Sequence, residues 1–279
     1  MAYAKINSVT NANMAKINSA AKAALGKIGS IDAPSSFTNA YSLDFDGVDD
    51  FINLGAVGSA LQPAIADGVT LSVWCKWADI TTATARIFSN SSILNYYHGV
   101  SCSKNTSGLL SMNTGDGNGS GSNDRRTLKT DATPFTNDTW HHIVCVWTDE
   151  TSSNWKIYVD ASDIASSTSG SGGLNAYDSS ADIFIGKRIT VSTSYFNGKM
   201  DEVGFWSTAL SSAEVTEIYN SGTPTDLTSD TGNYASSSDL IGYWRMGDGA
   251  TYPTIPDDST NSNDGTMTNM TSGDIVEEP

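Results

Sequence analysis

Residues 69–77, VTLSVWCKW, set Val69, Leu71, Val73, Cys75 and Trp77 against Thr70, Ser72, Trp74 and Lys76. A period of two is the signature of an extended strand with one face in a core. The pattern recurs along the chain. Residues 41–46, YSLDFD, place Leu43 and Phe45 on one face and Asp44 and Asp46 on the other, before a turn at Asp46-Gly47 and the segment FINLG. Residues 140–147 (WHHIVCVW) and 155–159 (WKIYV) read as a strand pair around the polar turn TDETSSN, with further strands at 183–186 (IFIG) and 201–206 (DEVGFW). Gly, Asn and Asp punctuate these runs. The pattern predicts an all-β body, an antiparallel sandwich whose two sheets close on one core. One short helix interrupts it. The segment TALSSAEVTEIYNSG, from Thr208, offers a Ser N-cap, Glu214 as capping-box partner, an apolar face of Val215, Ile218 and Tyr219, and Gly222 as a stop.

The first 33 residues follow another rule. AKINSVTNANM (4–14), AKINSAAKAAL (15–25) and GKIGSI (26–31) repeat with a spacing of 11 residues. In a helix that period is about 3.67 residues per turn. Met14, Ile17, Ala21, Ala24, Leu25 and Ile28 would form its apolar stripe. So short a stripe is marginal alone and needs copies of itself or a groove on another protein. Residues 1–33 are therefore predicted to be an anchoring and oligomerisation arm. Ile6, Ile17, Leu25 and Ile28 are its assembly contacts and a trimer is the expected homo-oligomer. An unstructured tail is the alternative. Pro34 and Ser35–Asn39 read as the hinge into a main domain spanning 34–279.

Charge narrows the partners. The chain has 31 acidic and 15 basic residues, and four of the lysines precede the first acid, Asp32. The body beyond the arm thus repels phosphate backbones, which argues against nucleic acid. No 18-residue apolar run predicts a membrane span. The basic N-terminus lacks an apolar core and a cleavage site, so synthesis in the cytosol and display by assembly into a particle are expected. Three cysteines, Cys75, Cys102 and Cys145, make no disulfide framework, and Cys75 and Cys145 sit in apolar strand patterns as buried thiols.

The order FDGVDDFINLG, LSVWCKW, RIFSN, WHHIVCVWTD, WKIYVD, FIGKR and YFNGKMDEVGFWSTALSSAEVTEIYNSG resembles the laminin G-like jelly roll of the concanavalin A-like lectin/glucanase superfamily, over roughly residues 40–222. GKMDEVGFWSTALSSAEV is the most specific stretch. The later LIGYWRMGDG and DDSTNSNDGTM resemble a segment common beside these domains, and residues 222–279 are expected to complete the sandwich edge. A separate small subdomain is the lesser option. An arm of lysine-isoleucine repeats on such a jelly roll is similar to virion proteins of tailed, especially marine, bacteriophages. That similarity implies a structural protein on the particle surface, as capsid decoration, fibre or tail-associated part. It would dock on phage head or tail proteins through residues 1–33 and present its jelly roll to host cell-surface glycans. A free carbohydrate-binding or adhesion module is the alternative reading, and a glycoside hydrolase a third.

Glucanases on this fold use a closely spaced Glu/Asp/Glu set on one strand, which puts nucleophile and general acid on one face. No Glu-x-Asp occurs here. Asp201 and Glu202 are adjacent and predicted to face opposite ways, and Glu214 and Glu217 fall on the helix. His141 and His142 are likewise adjacent, with no Ser or Cys nucleophile motif beside them. GDGNGSGSND (115–124) reads as a flexible loop rather than a phosphate cradle. No enzyme is predicted. Calcium is the better expectation, because Asp44, Asp46, Asp49 and Asp50 crowd one Gly turn. The resemblance implies a structural calcium near that loop and the Asp201–Glu202 strand, with Asp46, Asp49 and Asp201 as ligands; a solvated acidic turn is the alternative. Asn95, Tyr96 and Tyr97, followed by His98, lie between two strand-like regions and are the candidate glycan contacts; core packing or an oligomer contact explains them equally well. Trp74, Trp140, Trp147 and Trp206 read as core.

Overall fold

In a computed structural model the alternating segments pair into two antiparallel sheets. The structure describes residues 37–55, 67–81, 84–89, 99–115, 124–148, 153–164, 167–171, 182–188 and 194–277. The chain divides into two units, residues 1–38 and 39–279. Only Phe37 and Thr38 of the first are described, so Ile6, Ile17, Leu25 and Ile28 lie outside the described residues, as do Asn95, Tyr96 and Tyr97.

The strands of the second unit are, in order, β1 (Ser42–Asp46), β2 (Phe51–Asn53), β3 (Val69–Trp77), β4 (Ala85–Ser89), β5 (Val100–Lys104), β6 (Leu110–Gly115) and β7 (Arg125–Lys129). Next come β8 (Trp140–Trp147), β9 (Lys156–Val159), β10 (Ser162–Asp163), β11 (Ser167–Ser169), β12 (Phe184–Ile185) and β13 (Asn197–Trp206). Helix α1 (Ser212–Tyr219) precedes β14 (Leu240–Trp244), β15 (Thr254–Ile255), β16 (Gly265–Thr268) and β17 (Ile275–Val276). An eight-stranded sheet runs β10-β9-β8-β3-β13-β1-β17, with β14 also on β13, and a nine-stranded sheet runs β11-β7-β6-β5-β4-β12-β2-β16-β15. Strands after residue 222 therefore enter both sheets.

The sequence reading named few of β4–β7 because they carry little apolar weight. Only Val100 and Cys102, Leu110 and Met112, and Leu128 turn inward along β5, β6 and β7. Between the sheets, Leu43, Phe45, Val73, Trp77, Trp147, Phe205 and Trp244 pack into the main core. The expectation of a single core needs correction. A second buried cluster, with Val144, Val146, Trp206, Tyr234 and Tyr243, lies on the other face of the eight-stranded sheet, against Val215 and Ile218 of α1 and Leu227 beyond it. Beneath α1 that sheet is apolar on both faces, which is why WHHIVCVW does not alternate. The helix is pinned at its start. Ser211 accepts from the Glu214 amide, Glu214 accepts from the Ser211 amide, and Asn220, in the left-handed region (φ 45°), ends the last turn.

Candidate functional site

Gly47, at φ +74°, turns the chain from β1 toward β2 and gathers carboxylates. Asp46 accepts from the Val48 and Asp49 amides at 2.7 and 3.2 Å, and Asp50 accepts from the Asp46 amide at 3.0 Å. Carboxylate oxygens of Asp46, Asp49 and Asp50 lie within 4.8 Å of one another. Burial, then the charges of Asp46, Asp274 and Asp49, push the Asp50 carboxyl up to about 6 despite its backbone hydrogen bond. This all-oxygen donor set suits a hard cation. Asp201 is not part of it. Register puts Asp46 opposite Asn197, and Asp201 stands four residues further along β13, roughly 13 Å away at about 3.3 Å per residue. Asp50 occupies the place expected for it.

Asp201 and Glu202 also depart from expectation. They do not face opposite ways, because β13 bulges between Asp201 and Gly204, with Glu202 at φ +47°. Met200 and Val203 both point into the main core, so the two acids between them share the outer face. On its other edge β13 pairs first with β1, up to Met200, and then with β14, from Val203. The acids sit at that junction. Glu202 accepts from Tyr243 Oη and from Arg245 Nε (3.1 Å), and Arg245 reaches Asp248 at 3.6 Å. Asp201 accepts from Asn39 Nδ2 (2.8 Å) and the Glu202 amide (2.9 Å). Burial raises Glu202 to about 7 against the pull of Tyr243 and Arg245. Burial and the neighbouring Glu202 charge hold Asp201 well above the carboxylate range. Both side chains are buried and held by Asn39, Tyr243 and Arg245, and two adjacent acids on one face do not bracket a glycosidic bond from opposite sides.

His142 has a neighbour that the sequence concealed: Ser72 Oγ lies 2.7 Å from its Nε2. The contact is structural. Both residues are buried, the ring is stacked against Trp74 (4.8 Å) and Tyr219 (6.0 Å), and His142 Nδ1 has no partner among the described residues to orient it. Burial drives its pKa down to about 3, leaving it a poor base. His141 faces away and holds Asp160 at 2.7 Å.

The outer face of the nine-stranded sheet is polar. Register lines up Thr266, Asn53, Phe184, Ser89, Ser101, Asn113, Thr127 and Ser169 as successive cross-strand partners. Their neighbours Met267, Ile52, Ile185, Phe88, Cys102, Met112 and Leu128 fill the core, so the row faces outward. A second row carries Arg86, Ser103, Ser111 and Lys129. Arg86 Nη1 donates to Ser101 Oγ at 2.9 Å and Thr127 Oγ1 to Asn113 Oδ1 at 2.6 Å. Asn53, Arg86, Ser111 and Asn113 are half-buried, whereas Ser89, Ser101, Ser103, Thr127 and Phe184 are buried. Hydroxyls, amides and a guanidinium in rows match the donors and acceptors of a polyhydroxylated ligand. Alternate polar positions of VSCSK, LSMNTG and RRTLK carry this signal, but only the register joins them.

Two antiparallel sheets with a helix laid on one of them define a lectin-type jelly roll. The chain belongs to the concanavalin A-like lectin/glucanases superfamily, whose family model matches residues 46–216. No curated protein matches its sequence. Among solved structures it is similar to a Bacteroides ovatus protein provisionally assigned to carbohydrate binding, with 16% identity and a TM-score of 0.56 over 84% of this chain. The chain spans 60% of that protein's length. It is also similar to the heptameric SAP-like pentraxin of Limulus polyphemus (15% identity, TM-score 0.46, covering 74% of this chain and 91% of the pentraxin). A third is the sialidase carbohydrate-binding module CBM40 of Ruminococcus gnavus, bound to α2,3 sialyllactose (13%, 0.45, 63% and 97%).

Proposed function

We propose that the chain is a non-catalytic carbohydrate-binding module that reads glycan hydroxyls with the outer face of its nine-stranded sheet. The half-buried Asn53, Arg86, Ser111 and Asn113, which register sets in neighbouring positions across the sheet, carry this reading. Asn113 Nδ2 has no partner among the described residues and is free to donate to a sugar hydroxyl. Asn95, Tyr96 and Tyr97, which fall between β4 and β5 in the sequence, are assigned the role of stacking on sugar rings. The carbohydrate binding assigned to the Bacteroides ovatus protein runs the same way, although that likeness is one of fold. A glycan array followed by calorimetry tests the proposal. Asn113→Ala and Arg86→Ala should each weaken the best ligand about tenfold, with melting temperature held within a few degrees. Unchanged affinity in both variants would sink the sugar face.

A structural calcium at Asp46, Asp49 and Asp50 belongs to the same proposal. At about 100 times its Kd it should raise the melting temperature by roughly 5–10 °C at pH 7.5. The gain should fade below pH 6, where protons compete for Asp50. Chelator-treated protein that melts identically with and without calcium would refute this. The wider reading, display on a virion as a homo-oligomer docked through residues 1–33, is supported by the 11-residue repeat alone.

A further inference from the structure

The sheet away from the sugar face holds a different pocket. Trp74, Trp140, Asp201, Gly222 and Pro224 line a small depression of about 50 Å³ beside the end of α1. We infer that this depression binds the tip of a primary ammonium ligand, with its N–H groups on Asp201 and its charge against the faces of Trp74 and Trp140.

Donor arithmetic comes first. Asp201 is 1% exposed and accepts only from Asn39 Nδ2 and the Glu202 amide, which leaves about two of a carboxylate's four lone-pair sites unused. Asn39 Oδ1, on the amide bound to Asp201, is also buried and has no partner among the described residues. The surroundings of Asp201 thus have acceptors to spare, and an ammonium group is donor-only. Charge points the same way. Asp201 feels Glu202 and Asp248, while Arg245 is committed to those two. Lys76 and Lys199 stand nearby on β3 and β13, each with an interaction of its own. Asp201 itself makes no ion pair among the described residues, its contacts being Asn39 and the Glu202 amide. Two indoles beside such a carboxylate favour a cation over a neutral hydroxyl, because ring faces attract positive charge.

Burial and the Glu202 charge raise the affinity of Asp201 for a proton, so a proton and an ammonium group compete for it. Ammonium binding should therefore tighten as pH rises. The other titratable groups near the site are Lys76, Lys199, Glu202, Tyr243, Arg245, Asp248, His142 and Tyr219.

Titration of the full chain with ethylammonium chloride, followed by tryptophan fluorescence and amide NMR shifts, tests the inference. Ethanol serves as the neutral isostere, sodium chloride as the ionic-strength control, and tetramethylammonium as a cation without N–H donors. Ethylammonium alone should saturate, more tightly at pH 8 than at pH 6. Asp201→Asn should weaken it about tenfold or more, and Trp140→Leu should weaken it too, while Asn113→Ala should leave it unchanged. Comparing glucosamine with an Nα-blocked lysine then tells an amino-sugar source from a lysine side chain. An equal response to ethanol, sodium or tetramethylammonium, or full affinity in Asp201→Asn, overturns the site without touching the sugar face. Loss of glycan binding in Asn113→Ala, conversely, says nothing against the pocket.

Discussion

Trp206→Ala should destabilise the domain by about 3–5 kcal/mol, or roughly 10–15 °C in melting temperature. Trp206 is fully buried in the outer cluster. Its Nε1 donates to Tyr234 Oη at 3.0 Å, and that hydroxyl donates to the Leu227 carbonyl at 2.8 Å. The two rings meet edge to face at 6.3 Å. Truncation opens a cavity under α1, removes the donor to Tyr234 and takes away the ring lying over Gly204, where a Cβ would stand 2.6 Å from it. The Gly position and the Trp are therefore one packing unit. Scanning calorimetry measures the effect. A loss below about 1 kcal/mol would mean that α1 and the chain after it melt apart from the sandwich.

Asp201→Asn should do the opposite and stabilise the protein at pH 8, by roughly 1–3 kcal/mol, the usual cost of an imperfectly satisfied buried polar group. The direction follows from linkage. Asp201 and Glu202 have native pKa values above their unfolded ones, so their contribution is fully present below about pH 4. It is lost as pH rises, through about 7 for Glu202. His142 works in the other sense. Its native value of about 3 lies below the unfolded 6.5, so its contribution is present above pH 6.5 and is lost as pH falls toward 3. The substitution removes a charge that is expensive only when ionised, and Asn39 Oδ1, which has no partner among the described residues, can accept from the new amide. As pH falls toward 4 the raised native pKa keeps more of the carboxyl neutral, and the stabilisation should shrink. A variant less stable than the parent at pH 8 would show that the Asp201 charge is compensated.

The local elements were legible because each is written in adjacent residues. The alternation of VTLSVWCKW became β3, Asp46-Gly47 became the turn, and Ser211 with Glu214 became the helix cap. The acidic turn was found as well, with Asp50 rather than Asp201 as its third carboxylate. Adjacency misled at Asp201–Glu202, where strict alternation put the acids on opposite faces and a bulge placed them on one. It also concealed the contact of Ser72 with His142, two residues 70 apart.

The sequence by itself determined that this chain would be a β-sandwich with one capped helix, since strand period and capping are short-range and survive in a linear reading. Only the tertiary structure decided which polar side chains stand in one row across the sheet, that α1 covers a second core, and that Asp201 meets Trp74 and Trp140. Strand register and layer order are set by pairing between segments far apart in the chain, and a one-residue shift in that pairing would send each of these side chains to the other face.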